Sequence, residues 1–157
     1  MKKSDLDTSP ISIFEEIFPG DTNPYGTAFG GKILALVDRA AGLAAARFAR
    51  CNFVTASLDT LEFRAAVKKG EIAEVVAQVV YVSTHTCGVK VQVFALDKAH
   101  WDRRPCCVGT VFMVAIDADS KPQRVPSFEP STDEEKKDWD KTRAIHRRML
   151  ENRQEAT

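Results

Sequence analysis

The sequence predicts an α+β fold in which an antiparallel sheet of about five strands covers one long helix. Residues 30–50 form an apolar segment rich in alanine and leucine and free of proline, which is typical of a helix of about five to six turns. The flanking segments alternate with a period of two or are rich in β-branched residues, as strands are. Because the later strands are joined by short connections, they pair antiparallel, and the sheet can curl around the helix.

Each strand is predicted from its own pattern. The predicted strands span residues 11–18, 52–63, 72–82, 89–96 and 106–116. A Pro-Gly-Asp turn ends the first of them. The second strand has a period of two and one markedly polar face. The last strand is apolar on both faces, which favours a well-covered, central position.

We expect one domain, residues 1–157, with its core at about 10–118 and a C-terminal helix at 131–153. Ser131, Thr132, Asp133 and Glu134 have the form of a capping box that begins this helix. The helix either lies solvated across the domain or a neighbouring subunit, or offers a basic stripe to nucleotide phosphates. The side chains able to pack are Trp139, Ile145, Met149 and Leu150.

The start of the long helix is a candidate binding site. Two consecutive glycines, Gly30 and Gly31, follow the polar run at 21–27. Glycine allows another backbone or a ligand to approach closely, and the first N–H groups of a helix lack intrahelical acceptors. This end of the helix therefore suits an anion or a polarised carbonyl oxygen.

Asp38 is out of place on this helix. At about 100° per residue, the basic residues Lys32, Arg39, Arg47 and Arg50 fall on one side. Asp38 falls on the apolar side, between Leu34, Ala41 and Ala45. A buried carboxylate is costly unless it is paired or functional. Asp38 is either a boundary residue bonded to an arginine or a backbone N–H, or a general base.

Composition excludes several other classes. Lysine plus arginine equals aspartate plus glutamate, at 22 each, which gives no support for nucleic-acid binding. We expect no signal peptide in residues 1–10 and no membrane-spanning segment. The spacing of Cys51, Cys87, Cys106 and Cys107 matches no zinc pattern, and the neighbouring pair is expected on opposite faces of a strand. These features predict a cytoplasmic protein with free thiols and no metal.

Several motifs together resemble one known family. D-T-N-P-Y-G-T-A-F-G-G occupies 21–31, and Asp38 follows seven residues after its last glycine. This run resembles the hotdog-fold acyl-CoA thioesterases, in particular the group of the bacterial short-chain enzyme and the two-domain brain acyl-CoA hydrolase. The further matches are V-T-A-S-L-D-T-L-E-F at 54–63, Lys69-Gly70-Glu71, the 81–86 loop and V-P-S-F-E-P-S-T-D-E-E-K-K at 125–137.

The resemblance implies an enzyme that hydrolyses fatty acyl-CoA to the free acid and CoA, with no cofactor other than the CoA of its substrate. It implies two subunits that share one continuous sheet, with active sites at their interface. Dimers of this group assemble further, typically into a hexamer as a trimer of dimers, although a tetramer stays open. Neither a nucleic acid nor a membrane is implied as a partner.

The resemblance also implies roles for individual residues. The backbone N–H of Gly31 or Lys32 would polarise the thioester carbonyl, and Asp38 would activate water or attack directly. Thr27 stands where relatives usually carry Asn or Asp, and its hydroxyl would take over part of that role. The residues implied in substrate binding are Asn23, Phe29, Gly30, Thr55, Ser57, Ser83, Thr84 and Thr86.

Other readings of these residues carry less weight. Ser83, Thr84 and Thr86 either bond the pantetheine and phosphates or simply form a turn. His85 is a surface or CoA-contacting residue rather than a catalytic one, and Cys51 and Cys87 are buried thiols rather than nucleophiles. The alternative function is an acyl-CoA-binding module without turnover, against which the retained Asp38 argues.

Overall fold

The computed structural model describes residues 6–156 and has the predicted α+β architecture. The long helix α1 spans Gly30–Ala49 and the C-terminal helix α2 spans Asp133–Glu155. The strands are β1 (Ile11–Glu16), β2 (Asn52–Phe63), β3 (Ile72–Val82), β4 (Thr86–Leu96) and β5 (Arg103–Ile116). Neither helix is long and apolar enough to cross a membrane.

All five strands form one antiparallel sheet in the order β1-β3-β4-β5-β2. Helix α1 contacts every one of these strands, so the sheet curls around it as predicted. The core lies between the helix and the concave face of the sheet, where Val37, Phe48, Val75, Val91 and Val111 are completely buried.

The predicted strand starts differ from the observed ones at two places. Strand β4 begins at Thr86 and β5 at Arg103, each three residues before the predicted position. The backbone ladder continues through polar residues, since Leu96 pairs with Arg103. The Arg103 guanidinium lies 3.8 Å from the centre of the Phe94 ring, so this polar end of the hairpin is also held by a cation–π contact.

The expectation that Cys106 and Cys107 face opposite sides of β5 is wrong. Val93 pairs with Cys107 and Phe94 with Pro105, which leaves Cys106 unpaired in a β-bulge. A bulge breaks the strict alternation of side chains along a strand. Both thiols are consequently buried and line one cavity.

Helix α2 lies against the convex face of the sheet, on β3 and β4. Its capping box is one residue later than predicted, because Thr132 caps the helix and Glu135 closes the box. Thr142 and His146 are its buried residues. A Cβ on Gly88 would lie 2.6 Å from Cγ2 of Thr142, so the absence of a side chain on β4 lets the helix approach.

Candidate active site

The loop before α1 is a tight turn built around Asn23. The Oδ1 atom of Asn23 accepts bonds from the backbone N–H of Tyr25 at 3.0 Å and of Thr27 at 3.2 Å. Its Nδ2 donates to Oγ1 of Thr27 at 2.8 Å. Gly26 completes the turn with φ +77°, a conformation that favours glycine. The Thr27 hydroxyl is thus engaged in orienting the Asn23 amide.

A second loop, residues 64–71, supports this turn. The N–H of Ala28 donates to the carbonyl of Val67 at 2.8 Å, and that of Lys69 donates to Gly26 at 2.9 Å. Arg104 of β5 holds the second loop through both carboxylate oxygens of Glu71, at 2.8 and 3.2 Å. Sequence reasoning missed this ion pair, although Glu71 belongs to one of the matched motifs.

Helix α1 begins with open backbone amides. Its N-cap residue, Phe29, is half-exposed and provides no side-chain cap. The N–H groups of Gly30 and Gly31 have no acceptor within the helix, as at any helix start. A Cβ added at either glycine would meet no atom within 4 Å, so the side-chain positions of both glycines are open. The start of α1 thus offers two amides without intrahelical acceptors, and its role in binding a carbonyl oxygen stays a prediction.

Asp38 is exposed in the single chain, so the expectation that it is buried is wrong. Ala41 and Ala45 are fully buried as expected, but Leu34 is 36% exposed and shares the outer side of the helix with Asp38. The reason is the position of β2 at the edge of the sheet. No further strand of the described chain covers the side of α1 that lies beyond this edge.

The carboxylate of Asp38 is nevertheless held in place. The hydroxyl of Thr55 on β2 donates a hydrogen bond to its Oδ1. The same hydroxyl lies 3.6 Å from the sulfur of Met113, which is the partner of Thr55 on β5. The structure thus brings together two residues that the sequence placed in the site for separate reasons.

The helix start and Asp38 are too far apart to act on one carbonyl within one chain. Seven residues separate Gly31 from Asp38, which is about 10 Å along an α-helix. Seven residues are close to two full turns, so both lie on the same side of α1 with Leu34 between them. This side of α1 carries the exposed Leu34, and the neighbouring edge strand carries the exposed Val54 and Leu58.

The polar turn after β3 lies elsewhere. Ser83 and Thr84 line a cavity with Arg124, whereas Thr86 is buried. Val93 lies beside Gly30, and Thr86 is seven residues away along β4, or about 24 Å. The structure therefore does not bring this turn to the helix start. Ser57 is half-buried beside a bulge in β2, two residues after Thr55.

The remaining histidine and cysteine candidates lack the features of catalytic groups. His85 is exposed, and its backbone carbonyl accepts from Ala115. Burial raises the pKa of the Cys51 and Cys87 thiols, which disfavours the thiolate that a nucleophile needs. Burial also raises the pKa of Cys107, to about 11.

The fold is that of the hotdog thioester hydrolases. The thioesterase superfamily model matches residues 25–100. An uncharacterized acyl-CoA thioester hydrolase of Bacillus subtilis, YkhA, is 34% identical over 119 residues, covering 76% of this chain and 69% of that protein. The mouse cytosolic acyl coenzyme A thioester hydrolase is 28% identical over 148 residues, which are 93% of this chain but only 39% of the mouse protein. The chain belongs to the acyl-CoA thioester hydrolases of the thioesterase superfamily.

Solved structures agree with this assignment. The acyl-CoA hydrolase of Staphylococcus aureus, solved with butyryl coenzyme A, coenzyme A and coenzyme A disulfide, is 32% identical with a TM-score of 0.85. The match covers 95% of this chain and 91% of that one. An apo-hexameric acyl-CoA thioesterase has the same identity and TM-score, over 92% and 93% of the two chains.

Three structures of the S. aureus enzyme carry alanine in place of one aspartate, one threonine and one asparagine. The asparagine lies 15 residues before the aspartate, and the threonine 17 residues after it. Asn23, Asp38 and Thr55 have the same residue types at the same two separations. Because the two chains superpose closely, this spacing points to the same three positions.

Proposed function

We propose that this chain hydrolyses acyl-CoA thioesters, with Asp38 as the general base and the start of α1 as the site that polarises the carbonyl. One observation carries the proposal. An exposed carboxylate, fixed by the Thr55 hydroxyl, lies on the same side of α1 as the open amides of Gly30 and Gly31. Fixed donors and a fixed base are what acyl transfer to water requires.

The proposed reaction proceeds by addition and elimination. Asp38 takes a proton from water as the water oxygen attacks the thioester carbon. The negative charge that develops on the carbonyl oxygen is stabilised by the N–H of Gly31 and by the positive end of the helix. The carbon–sulfur bond then breaks, and CoA leaves as a thiol after taking up the proton. One N–H of the Asn23 amide is used on Thr27, and the second is directed toward the carbonyl or the water.

The proposed active site is shared between two subunits. Because about 10 Å separates Gly31 from Asp38 in one chain, the helix start of one subunit works with Asp38 of the other. The free edge of β2 supports this arrangement, since a long edge strand with unpaired backbone groups is a template for pairing with a second copy. The hexameric relative supports further assembly of dimers into a trimer of dimers.

The remaining predicted contacts stay part of the proposal. The backbone groups of Thr55 and Ser57 guide the pantetheine arm along β2, and Phe29 and Gly30 flank the thioester. Ser83, Thr84 and Thr86 contact the more distant parts of CoA. CoA enters as part of the substrate, and no metal takes part. We propose the cytoplasm as the compartment, in line with the name of the mouse relative.

Replacing Asp38 with asparagine tests the base. Asp38→Asn keeps the shape of the side chain but cannot accept the proton of water, so kcat for thiol release from acyl-CoA falls about 100-fold or more. Affinity for CoA is retained. Asp140→Asn, the same change at an exposed aspartate of α2, is the matched control. Turnover near the wild-type value in Asp38→Asn removes this residue from the mechanism, and absence of turnover in the wild type favours a binding module.

A further inference from the structure

We propose that the acyl tail of the substrate occupies an apolar cavity beside the start of α1, and that Val93 and Cys107 at its floor limit the length of that tail. The inference rests on the proposed hydrolysis of acyl-CoA and adds the chain-length preference of the same site. The cavity has a volume of about 340 Å³. Gly30 lies at its rim, next to the amides that receive the carbonyl.

The walls of this cavity are apolar and come from four different segments. Ile33 belongs to α1, Val67 to the supporting loop, Val93 to β4 and Cys107 to β5, and each is at most 5% exposed. Arg64 is the charged residue among its lining residues, and it is exposed and paired with Glu62 at 3.2 Å. A hydrocarbon is the ligand that such a surface binds best.

The bulge in β5 creates the floor of the cavity. Cys106 is the unpaired residue, and its carbonyl accepts from the N–H groups of Arg64 at 2.8 Å and Ala65 at 3.2 Å. These two bonds hold the bulge against the end of β2. Two small thiol side chains therefore face the same space, where regular alternation would have turned one of them away.

The position of the cavity matches the direction of the acyl group. A thioester whose carbonyl oxygen is bound by the first amides of α1 has its acyl carbons beside Gly30, where the cavity begins. An apolar cavity of about 150 Å³ holds benzene, with six carbons. A cavity of 340 Å³ that is open on one side therefore accommodates a linear tail of about eight to twelve carbons.

A larger cavity, which lies under α2, is not suited to an acyl tail. Its volume is about 470 Å³, but it lies on the convex side of the sheet, away from α1. It is lined by charged residues, among which Arg148 pairs with Asp59 at 3.4 Å and Lys90 with Asp138 at 3.2 Å.

The experiment compares chain-length profiles of kcat/KM, from butyryl-CoA to palmitoyl-CoA, for the wild type and three variants. Cys107→Leu fills the floor and Val93→Ala enlarges it. Val89→Ala is the matched control, because it removes the same atoms from the same buried side of β4 without touching the cavity. Thermal melting of each variant establishes that it is folded.

We expect Cys107→Leu to displace about two methylenes of a long tail. At about fourfold per methylene, kcat/KM for decanoyl-CoA falls about 15-fold, while butyryl-CoA is affected by less than about twofold. Val93→Ala moves the optimum toward longer tails, and Val89→Ala keeps the wild-type profile. The cavity assignment is overturned if the dependence of kcat/KM on acyl length is unchanged in Cys107→Leu and Val93→Ala. It is also overturned if Val89→Ala shifts this dependence as much as they do.

A binding measurement separates this assignment from hydrolysis itself. S-alkyl-CoA thioethers cannot be hydrolysed, and calorimetry gives their affinity as a function of alkyl length. If the wild type does not hydrolyse acyl-CoA, the proposed hydrolysis is contradicted. An affinity that rises with alkyl length in the wild type, and not in Cys107→Leu, then still supports the cavity as the site of the acyl tail. An affinity that is independent of alkyl length contradicts the cavity.

Discussion

Thr55 provides the sharpest test of how the base is positioned. Its hydroxyl donates to Oδ1 of Asp38, and the Thr55→Val substitution keeps the β-branched shape while it deletes that donor. A hydrogen bond to an ionised group contributes about 1.5 to 3 kcal/mol. Because both residues are exposed in the single chain, the lower value applies. A loss of about 1.5 kcal/mol in the transition state lowers kcat about tenfold.

Steady-state thiol release gives kcat and KM separately. We expect the loss in kcat with KM nearly unchanged, since Thr55 acts through Asp38 in the chemical step. Thr55→Ser restores the donor and most of the activity, which a merely structural defect of β2 would not do. The reasoning fails if Thr55→Val matches the wild type, or if Thr55→Ser is as slow as Thr55→Val while both variants melt like the wild type.

Three further predictions concern stability and support of the site. Gly88→Ala places a Cβ 2.6 Å from the methyl of Thr142, so we expect it to lower the free energy of unfolding, measured in urea, by about 1 to 3 kcal/mol. Adding Thr142→Ala recovers most of this loss. A negligible loss in Gly88→Ala would mean that α2 does not pack against β4 at this position. Burial lowers the pKa of His146 below its ordinary 6.5, so the contribution of this residue to the free energy of unfolding is complete above about pH 6.5 and is lost as the pH falls toward the folded-state pKa. His146→Gln flattens this part of the profile of unfolding free energy against pH. An unchanged profile contradicts the burial of a neutral His146. Arg104→Ala leaves Glu71 without its partner, so we expect it to lower the free energy of unfolding by about 1 to 3 kcal/mol and to lower kcat. Arg104→Lys, which cannot contact both carboxylate oxygens in the same way, is intermediate. Activity and stability of Arg104→Ala equal to those of the wild type would show that the second loop does not depend on this ion pair.

The repeating elements of this chain could be predicted from sequence because their side-chain periods are clear. Strands β2 and β3 have the predicted bounds, and α1 begins at the predicted glycine. The starts of β4 and β5 were placed too late, since a ladder of backbone hydrogen bonds extends through polar residues that periodicity excludes. The bulge at Cys106 was not predictable, because it depends on which residue of β4 lies opposite.

The candidate site was predicted in part. Pattern and resemblance predict the glycines of the helix start, Asp38 and Thr55 as site residues. The hydrogen bond between Thr55 and Asp38 could not be predicted, because it depends on how β2 packs beside α1. Thr27 stood out as a departure from the family. Its hydroxyl accepts a hydrogen bond from Asn23 within the loop, a partner that no pattern in the sequence indicates. A sequence pattern does not show which side chains from distant segments form hydrogen bonds with each other.

The exposure of Asp38 links the sequence pattern to the assembly. Periodicity predicts apolar neighbours for this carboxylate, yet Leu34 beside it on α1 and Leu58 on the edge strand are both substantially exposed in the single chain. Apolar residues that share one face of α1 and the adjoining edge strand are stabilised when a second copy covers them. Covering this face would also remove water from Asp38 and bring a second helix start toward it. We therefore propose that the apolar pattern around Asp38 marks the surface of a subunit interface rather than the core of one chain, and that the proposed active site forms at this interface.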